Sequence, residues 1–225
     1  GPGGSDRHDP CIGMSMLRRS FCMALLVMGG MLHAQSDSLV WVEYHGGFDL
    51  RDGVYFDFKA FRMNTPSVPI ARLRDQGVPV QDIRRVVSKL TWQPDTGAQR
   101  TIRKENLWGF SQNGVAYISA GNGFYRIGLM GSLSHMVFEM NYRDWDPYMY
   151  PYGGVTRTVL VQQLLDMESG EFLRFNAASM DHVLQKDPVL LEEFRALPKK
   201  QRNSDEAVFR FMRLYNERHP LRFPQ

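Results

Sequence analysis

The chain has 225 residues, with 27 Lys and Arg against 24 Asp and Glu and a net charge of +3. Its basic residues fall in pairs, Arg84-Arg85, Arg103-Lys104 and Lys199-Lys200, and not in a stripe, which sets nucleic acid aside as a partner. Both cysteines, Cys11 and Cys22, precede residue 35, so a disulfide scaffold, thiol chemistry and a Cys-ligated metal are excluded for the remainder.

Residues 1–34 read as an N-terminal extension and secretory signal peptide. Arg18 and Arg19 form a basic n-region, and residues 21–32 (FCMALLVMGGML) form an apolar h-region. That run is too short for a bilayer span, which needs about 20 residues. Leu32-His33-Ala34 supplies a cleavage site before Gln35, and residues 1–13 suit a linker ahead of a start at Met14 or Met16. The expectation is export, with residues 35–225 as one domain lacking a transmembrane span. A β-rich part covers 35–175 and a helical part 176–225. The expected location is the periplasm or outer-membrane periphery of a Gram-negative bacterium, where a cysteine-free product escapes oxidation.

Residues 40–44 (VWVEY) predict a first strand, closed by His45-Gly46-Gly47, and 54–58 (VYFDF) a second. One helical turn is expected over 59–64. Pro66, Pro69 and Pro79 require irregular or edge structure over 66–80, because proline cannot donate to a ladder. Residues 86–92 read as a strand, although Ile83, Val86, Val87 and Leu90 also fit a helical spacing. Pro94-Asp95-Thr96-Gly97 turns the chain back into 100–103. Residues 108–142 predict a β-meander with tight turns at Asn113-Gly114 and Asn122-Gly123, dipeptides that tolerate positive φ. A loop over 143–154 (RDWDPYMYPYGG) precedes a long strand over 155–167, a turn over 168–171 and a returning strand over 172–175.

Helical spacing then takes over. Asn176 caps a helix carrying Met180, Val183 and Leu184. Asp187-Pro188 supplies an N-cap followed by proline at the first helical position, ahead of Leu190, Leu191, Phe194 and Leu197, and Pro198 ends that helix. Asn203 with Glu206 resembles a capping box before Val208, Phe211, Met212 and Tyr215. The fold class is α+β: an antiparallel β-meander sheet or partly closed barrel, followed by a C-terminal set of about three helices covering one face.

Candidate chemistry is sparse. His45-Gly46-Gly47 has the look of an oxyanion loop, but no Gly-x-Ser-x-Gly elbow accompanies it, so a strand-ending turn is expected. Ser132, Ser134 and His135 are neighbours in sequence, yet on a strand Ser134 and His135 point to opposite faces. His45, His135, His182 and His219 form no helical i, i+4 pair, and Asp49, Asp52, Asp144 and Asp146 fit no calcium loop. Gly121-Asn122-Gly123 lacks the third glycine of a dinucleotide fingerprint. No catalytic residue, metal or cofactor is therefore assigned. Glu43, Glu105, Glu139 and Asp166 are the carboxylates a glycosidase reading would have to gather in space.

The most informative patch is the loop with Trp145, Tyr148, Tyr150 and Tyr152. Aromatics bring large contact area at little entropic cost, which suits sugar stacking or protein docking. Their other reading is a lid folded over the end of the sheet. The leader ending at Ala34, the run Asp52-Gly53-Val54-Tyr55-Phe56-Asp57-Phe58, Leu107-Trp108-Gly109-Phe110 and the closing Asn216-Glu217-Arg218-His219-Pro220-Leu221 together resemble uncharacterised secreted proteins of Bacteroidetes-type bacteria. The resemblance implies export to the envelope and carries over no functional residue. The expected function is a non-enzymatic envelope protein binding another envelope component, protein or glycan, through the aromatic loop. The alternative is a hydrolase acting on cell-wall glycan or peptide.

Overall fold

The computed structural model describes residues 39–86, 89–121, 123–145, 148–149 and 154–225; the predicted leader and Asn122 lie outside them. Strands β1 (Trp41–Glu43) and β2 (Gly53–Tyr55) precede helix α1 (Phe58–Arg62). Asp57 caps α1, its carboxylate accepting the Ala60 N–H at 2.7 Å. Short strands β3 (Val68–Pro69), β4 (Leu73–Asp75) and β5 (Val78–Pro79) lead to β6 (Lys89–Trp92) and β7 (Arg100–Arg103). The meander comprises β8 (Gly109–Gln112), β9 (Val115–Ala120), β10 (Gly123–Leu129), β11 (Leu133–Asp144) and β12 (Val155–Asp166), with β13 (Phe172–Arg174) after it. Helices α2 (Ala177–Leu184), α3 (Pro188–Ala196), α4 (Lys199–Arg202) and α5 (Asp205–Arg218) follow, and β14 (Arg222–Pro224) comes last.

The α+β class holds. Eight strands form one antiparallel sheet in the order β13-β12-β11-β10-β9-β8-β2-β3, and a second sheet runs β5-β4-β6-β7. The large sheet is open, with β13 and β3 at its edges, so the barrel alternative does not apply. Neither edge is built to close: β3 is two residues ending in Pro69, and β13 has only three residues before Asn176 starts a helix. The predicted turn at Asn113-Gly114 is present with φ of 53° and 71°, the pair of positive values that a two-residue hairpin requires. Pro69 and Pro79 sit on the edge strands β3 and β5, as their missing N–H demands.

Three apolar clusters hold these layers. On one face of the large sheet, Leu133 and Leu164 meet Met180, Val183, Leu184, Leu190, Phe194, Phe211 and Met212 from α2, α3 and α5. The opposite face packs Met136, Phe138 and Leu165 with Phe48, Phe61, Leu221 and Phe223. The small sheet turns Leu73, Leu90 and Ile102 against Val54 and Phe110. Among the described residues, no helix is long and apolar enough to cross a membrane.

Two expectations need correction. The strand at 40–44 does not join the meander; β1 pairs antiparallel with β14, Val42 opposite Phe223. The chain also does not finish on a helix. Phe223 is fully buried among Phe48, Phe61 and Tyr44 rings, so burial and not local pattern fixes that strand. Helix α5 is tied to the sheet by Asn216, whose amide accepts the Leu133 N–H at 2.7 Å and donates to the Leu133 carbonyl at 2.8 Å.

The turn between β12 and β13 rests on Gly170, with φ of +79° and the Phe58 ring where a side chain would start. Gly170→Ala is therefore expected to lower stability by about 1–3 kcal/mol, from left-handed strain plus the clash. A chemical denaturation midpoint unchanged from wild type would show that the turn relaxes freely.

Candidate functional site

The aromatic loop stands at the end of a β-arm. Strands β11 and β12 pair over their whole length, from Leu133 opposite Asp166 to Asp144 opposite Val155. Their neighbours accompany only the base. Strand β10 registers with β11 at Ile127–Met136 and Leu129–His135, with a register shift between them, and β13 pairs with β12 only at Gln163, Leu164 and Leu165. Beyond Phe138 the ribbon continues for six residue pairs, roughly 20 Å at about 3.3 Å per residue. Most of its residues are exposed.

Alternation sorts the arm's side chains. The face continuing from Leu133 and Leu164 carries Glu139, Asn141, Arg143, Thr156, Thr158 and Leu160, and the face continuing from Met136 and Leu165 carries Met140, Tyr142, Val155, Arg157 and Val159. Thr158 donates its hydroxyl to the Asn141 side-chain oxygen at 2.7 Å, and Arg157 pairs with Asp144 at 3.2 Å. Both pairs bridge the two strands, which a two-stranded ribbon in water needs. At the tip, Trp145 is 64%, Tyr148 95% and Met149 69% exposed. Tyr150, Tyr152 and Asp146 lie outside the described residues.

Elsewhere the titratable groups hold the fold together. Asp187 is buried and caps α3 by accepting the Leu190 N–H. It also accepts from Arg218 Nε at 2.6 Å and contacts His219 Nε2 at 3.0 Å. Burial pushes its carboxyl up, but the hydrogen bonds from Arg218 and His219 outweigh that and hold it at about 2, below the usual 3.8. The His219 ring lies against the Tyr215 ring at 4.4 Å, so its neighbours are a carboxylate and an aromatic. At the base of β12, Asp166 accepts from Lys186 at 2.9 Å, and Lys186 also reaches Glu168. Burial raises the Asp166 carboxyl, but the hydrogen bonds from Lys186 and the Glu168 N–H outweigh it and hold the carboxyl below its usual range.

Ser134 and His135 do point to opposite faces. Ser134 is buried and locks the β10–β11 turn, accepting the Gly131 N–H at 3.1 Å and donating to the Gly131 carbonyl at 2.8 Å. His135 sits between the Phe175 and Phe209 rings, 5.0 and 4.8 Å away, with Nε2 bonded to Gln162 at 3.0 Å. Burial pushes its pKa down, and the Gln162 hydrogen bond only partly offsets this. His45 is exposed and contacts the Gly46 carbonyl within its own turn. Glu43 lies on β1, Glu105 in the turn after β7 and Glu139 on the arm, while Asp166 is engaged by Lys186. Among the described residues, no three His, Cys, Asp or Glu side chains gather as a metal site. Among the described residues, one surface concavity is lined by Asp181, Arg195 and Asn203 beside the helices, and another by Lys89, Thr101 and Arg103 on the small sheet; both open widely to solvent.

The arm itself had no clear sequence signature. Its aromatic composition was visible, but a strand exposed on both faces does not advertise itself by a buried stripe. No protein-family model matches the chain, and neither a curated protein nor a solved structure matches it.

Proposed function

We propose that this is a non-enzymatic, exported envelope protein that binds another envelope component, a protein or a glycan, through the tip of its β-arm. The supporting observation is the exposure of Trp145, Tyr148 and Met149 at the end of a ribbon that leaves the sheet. Large apolar groups held in water are destabilising unless something covers them, and Trp and Tyr are the residues most often found at the energetic centre of interfaces. Beside the tip, Arg157 is paired with Asp144, which removes one charge from the contact. Export of the chain is the expectation carried by the leader at residues 1–34 and belongs to the same proposal.

Capture from envelope extract, comparing wild type with Trp145→Ala/Tyr148→Ala, tests the assignment. A specific protein or glycan retained by wild type should bind the double variant at least about thirtyfold more weakly, as loss of one interface hot spot implies. Circular dichroism must show both proteins equally folded. Retention that the substitutions leave untouched places the binding surface elsewhere.

A further inference from the structure

The arm has a second unfinished feature, independent of its tip. Met167 donates its N–H to the Ser132 carbonyl, which fixes the parity of the β11–β12 ladder. Odd-numbered residues of β12 bond inward to β11, and even-numbered ones point their N–H and C=O the other way. Strand β13 takes up that outer edge only at Gln163 to Leu165. Among the described residues, no strand pairs with the outward groups of Thr156, Thr158 and Leu160.

Exposed edges are normally guarded by lysine, proline, a bulge or a very short strand. This one reads VTRTVLVQ from residue 155 to 162, with no proline or lysine. Five of those residues are β-branched, and Leu160 is 71% exposed on it. The one charged side chain, Arg157, is already paired with Asp144.

We propose that this edge is a self-association surface, on which a second copy of the chain adds its own β12 antiparallel about a two-fold axis at Val159. The open groups are symmetric about that residue: Thr158 falls opposite Leu160 of the second copy and Leu160 opposite its Thr158, so the outward N–H and C=O of both residues find partners. Pairing stops short of Gln163, whose outer side already faces Arg174 of β13, and at the other end where the tip loop leaves the strand.

Charge and the reach of β13 select this register, since an axis at Leu160 would set Thr158 opposite Gln162, beside the Gln163–Arg174 pair. An axis at Thr158 would make the two Arg157 residues diagonal neighbours about 7–8 Å apart. An axis at Val159 sets Arg157 opposite Val161 and separates the two arginines by roughly 14 Å, beyond the screening length in physiological salt. It also lines up Met140, Val159, Val159 and Met140 across four strands, and brings Leu160 against a Thr158 methyl. The apolar residues of the arm thereby acquire the neighbours that a lone ribbon cannot give them.

Sedimentation of the purified full chain over a concentration series reads the association. A monomer–dimer equilibrium is expected. Leu160→Pro removes an outward N–H while leaving the ladder to β11 intact, and Leu160→Lys adds an edge charge without touching the backbone. Each should raise the dimer dissociation constant at least about tenfold. The register is read by disulfide formation in a background where Cys11 and Cys22 are serine. Val159→Cys places two thiols on directly opposed residues and should cross-link under mild oxidation, whereas Arg157→Cys should not. A monomer at all concentrations, a dimer that survives both Leu160 substitutions, or cross-linking through position 157 as readily as through 159 overturns the proposal. These results leave the capture experiment with Trp145 and Tyr148 free to succeed or fail by itself.

Discussion

Asp187→Ala is expected to destabilise the protein by about 2–4 kcal/mol, measured by urea unfolding at neutral pH. One part of the loss is the N-cap of α3, since the carboxylate accepts the Leu190 N–H at 3.2 Å and an alanine leaves it unbonded; that part is about 1 kcal/mol. The larger part is the abandoned partners. Arg218 and His219 converge on this one buried carboxylate at the end of α5, and removing it leaves both without their ion-pair partner. Arg218 is half-exposed and rehydrates, which keeps the loss below the extreme for a sealed pair. Asp187→Asn retains a cap oxygen and should lose about half as much.

The same residue sets an acid limit. Its carboxyl titrates at about 2 in the folded protein against an ordinary 3.8. A depressed carboxyl contributes stability that is fully present above its unfolded value and disappears as pH falls through the folded one. The stability difference between wild type and Asp187→Asn should therefore be constant above about pH 5 and shrink between about pH 4 and 2. A difference that stays constant to pH 2 would mean that the charge on Asp187 contributes nothing.

Phe61→Ala should cost about 3–5 kcal/mol, the range for a buried aromatic replaced by alanine. Phe61 is 1% exposed, stacks on Trp108 at 4.9 Å and meets Tyr55 and Phe223 edge-on at 5.3 and 5.7 Å. Those contacts join α1, the large sheet and the β1–β14 ribbon, so the cavity would open where three elements meet. Phe61→Leu fills most of that space and should lose under about 1.5 kcal/mol. The tryptophan emission of Trp108 reports locally on the same site. A loss below about 1 kcal/mol for the alanine variant would show that the surrounding rings collapse into the gap.

Local chemistry was the legible part of this fold. Asn113-Gly114 announced its turn because few other pairs hold two positive φ values. Asp187-Pro188 and the stripe through Leu190 and Phe194 announced α3, because cap and period lie within one segment. The cap of α5 was misplaced by one residue: Ser204, not Asn203, accepts the Ala207 N–H. Features set by distant partners were not legible. Arg222-Phe223-Pro224 is too short to show any alternation, and its partner strand lies near the other end of the described chain. The arm was split between meander and loop, because residues 139–144 see solvent on both faces and keep no period. Of the candidate site, the aromatic composition was readable. The open edge of β12 was not, since it depends on where β13 stops.

The pairing of β1 with β14 also bears on the order in which the core closes. Phe223 is a structural plug for the cluster holding Phe48, Phe61 and Tyr44, yet it is joined to them through a loop that contains nearly the whole polypeptide. Contacts of such long sequence separation form late and slow a chain's folding. Until β14 docks on β1, the rings of Phe48, Phe61 and Tyr44 lack Phe223 and the core stays unsealed. Completion then resembles closing a clasp: one strand of three residues shuts the cluster, and the fold stays pliable there until it does.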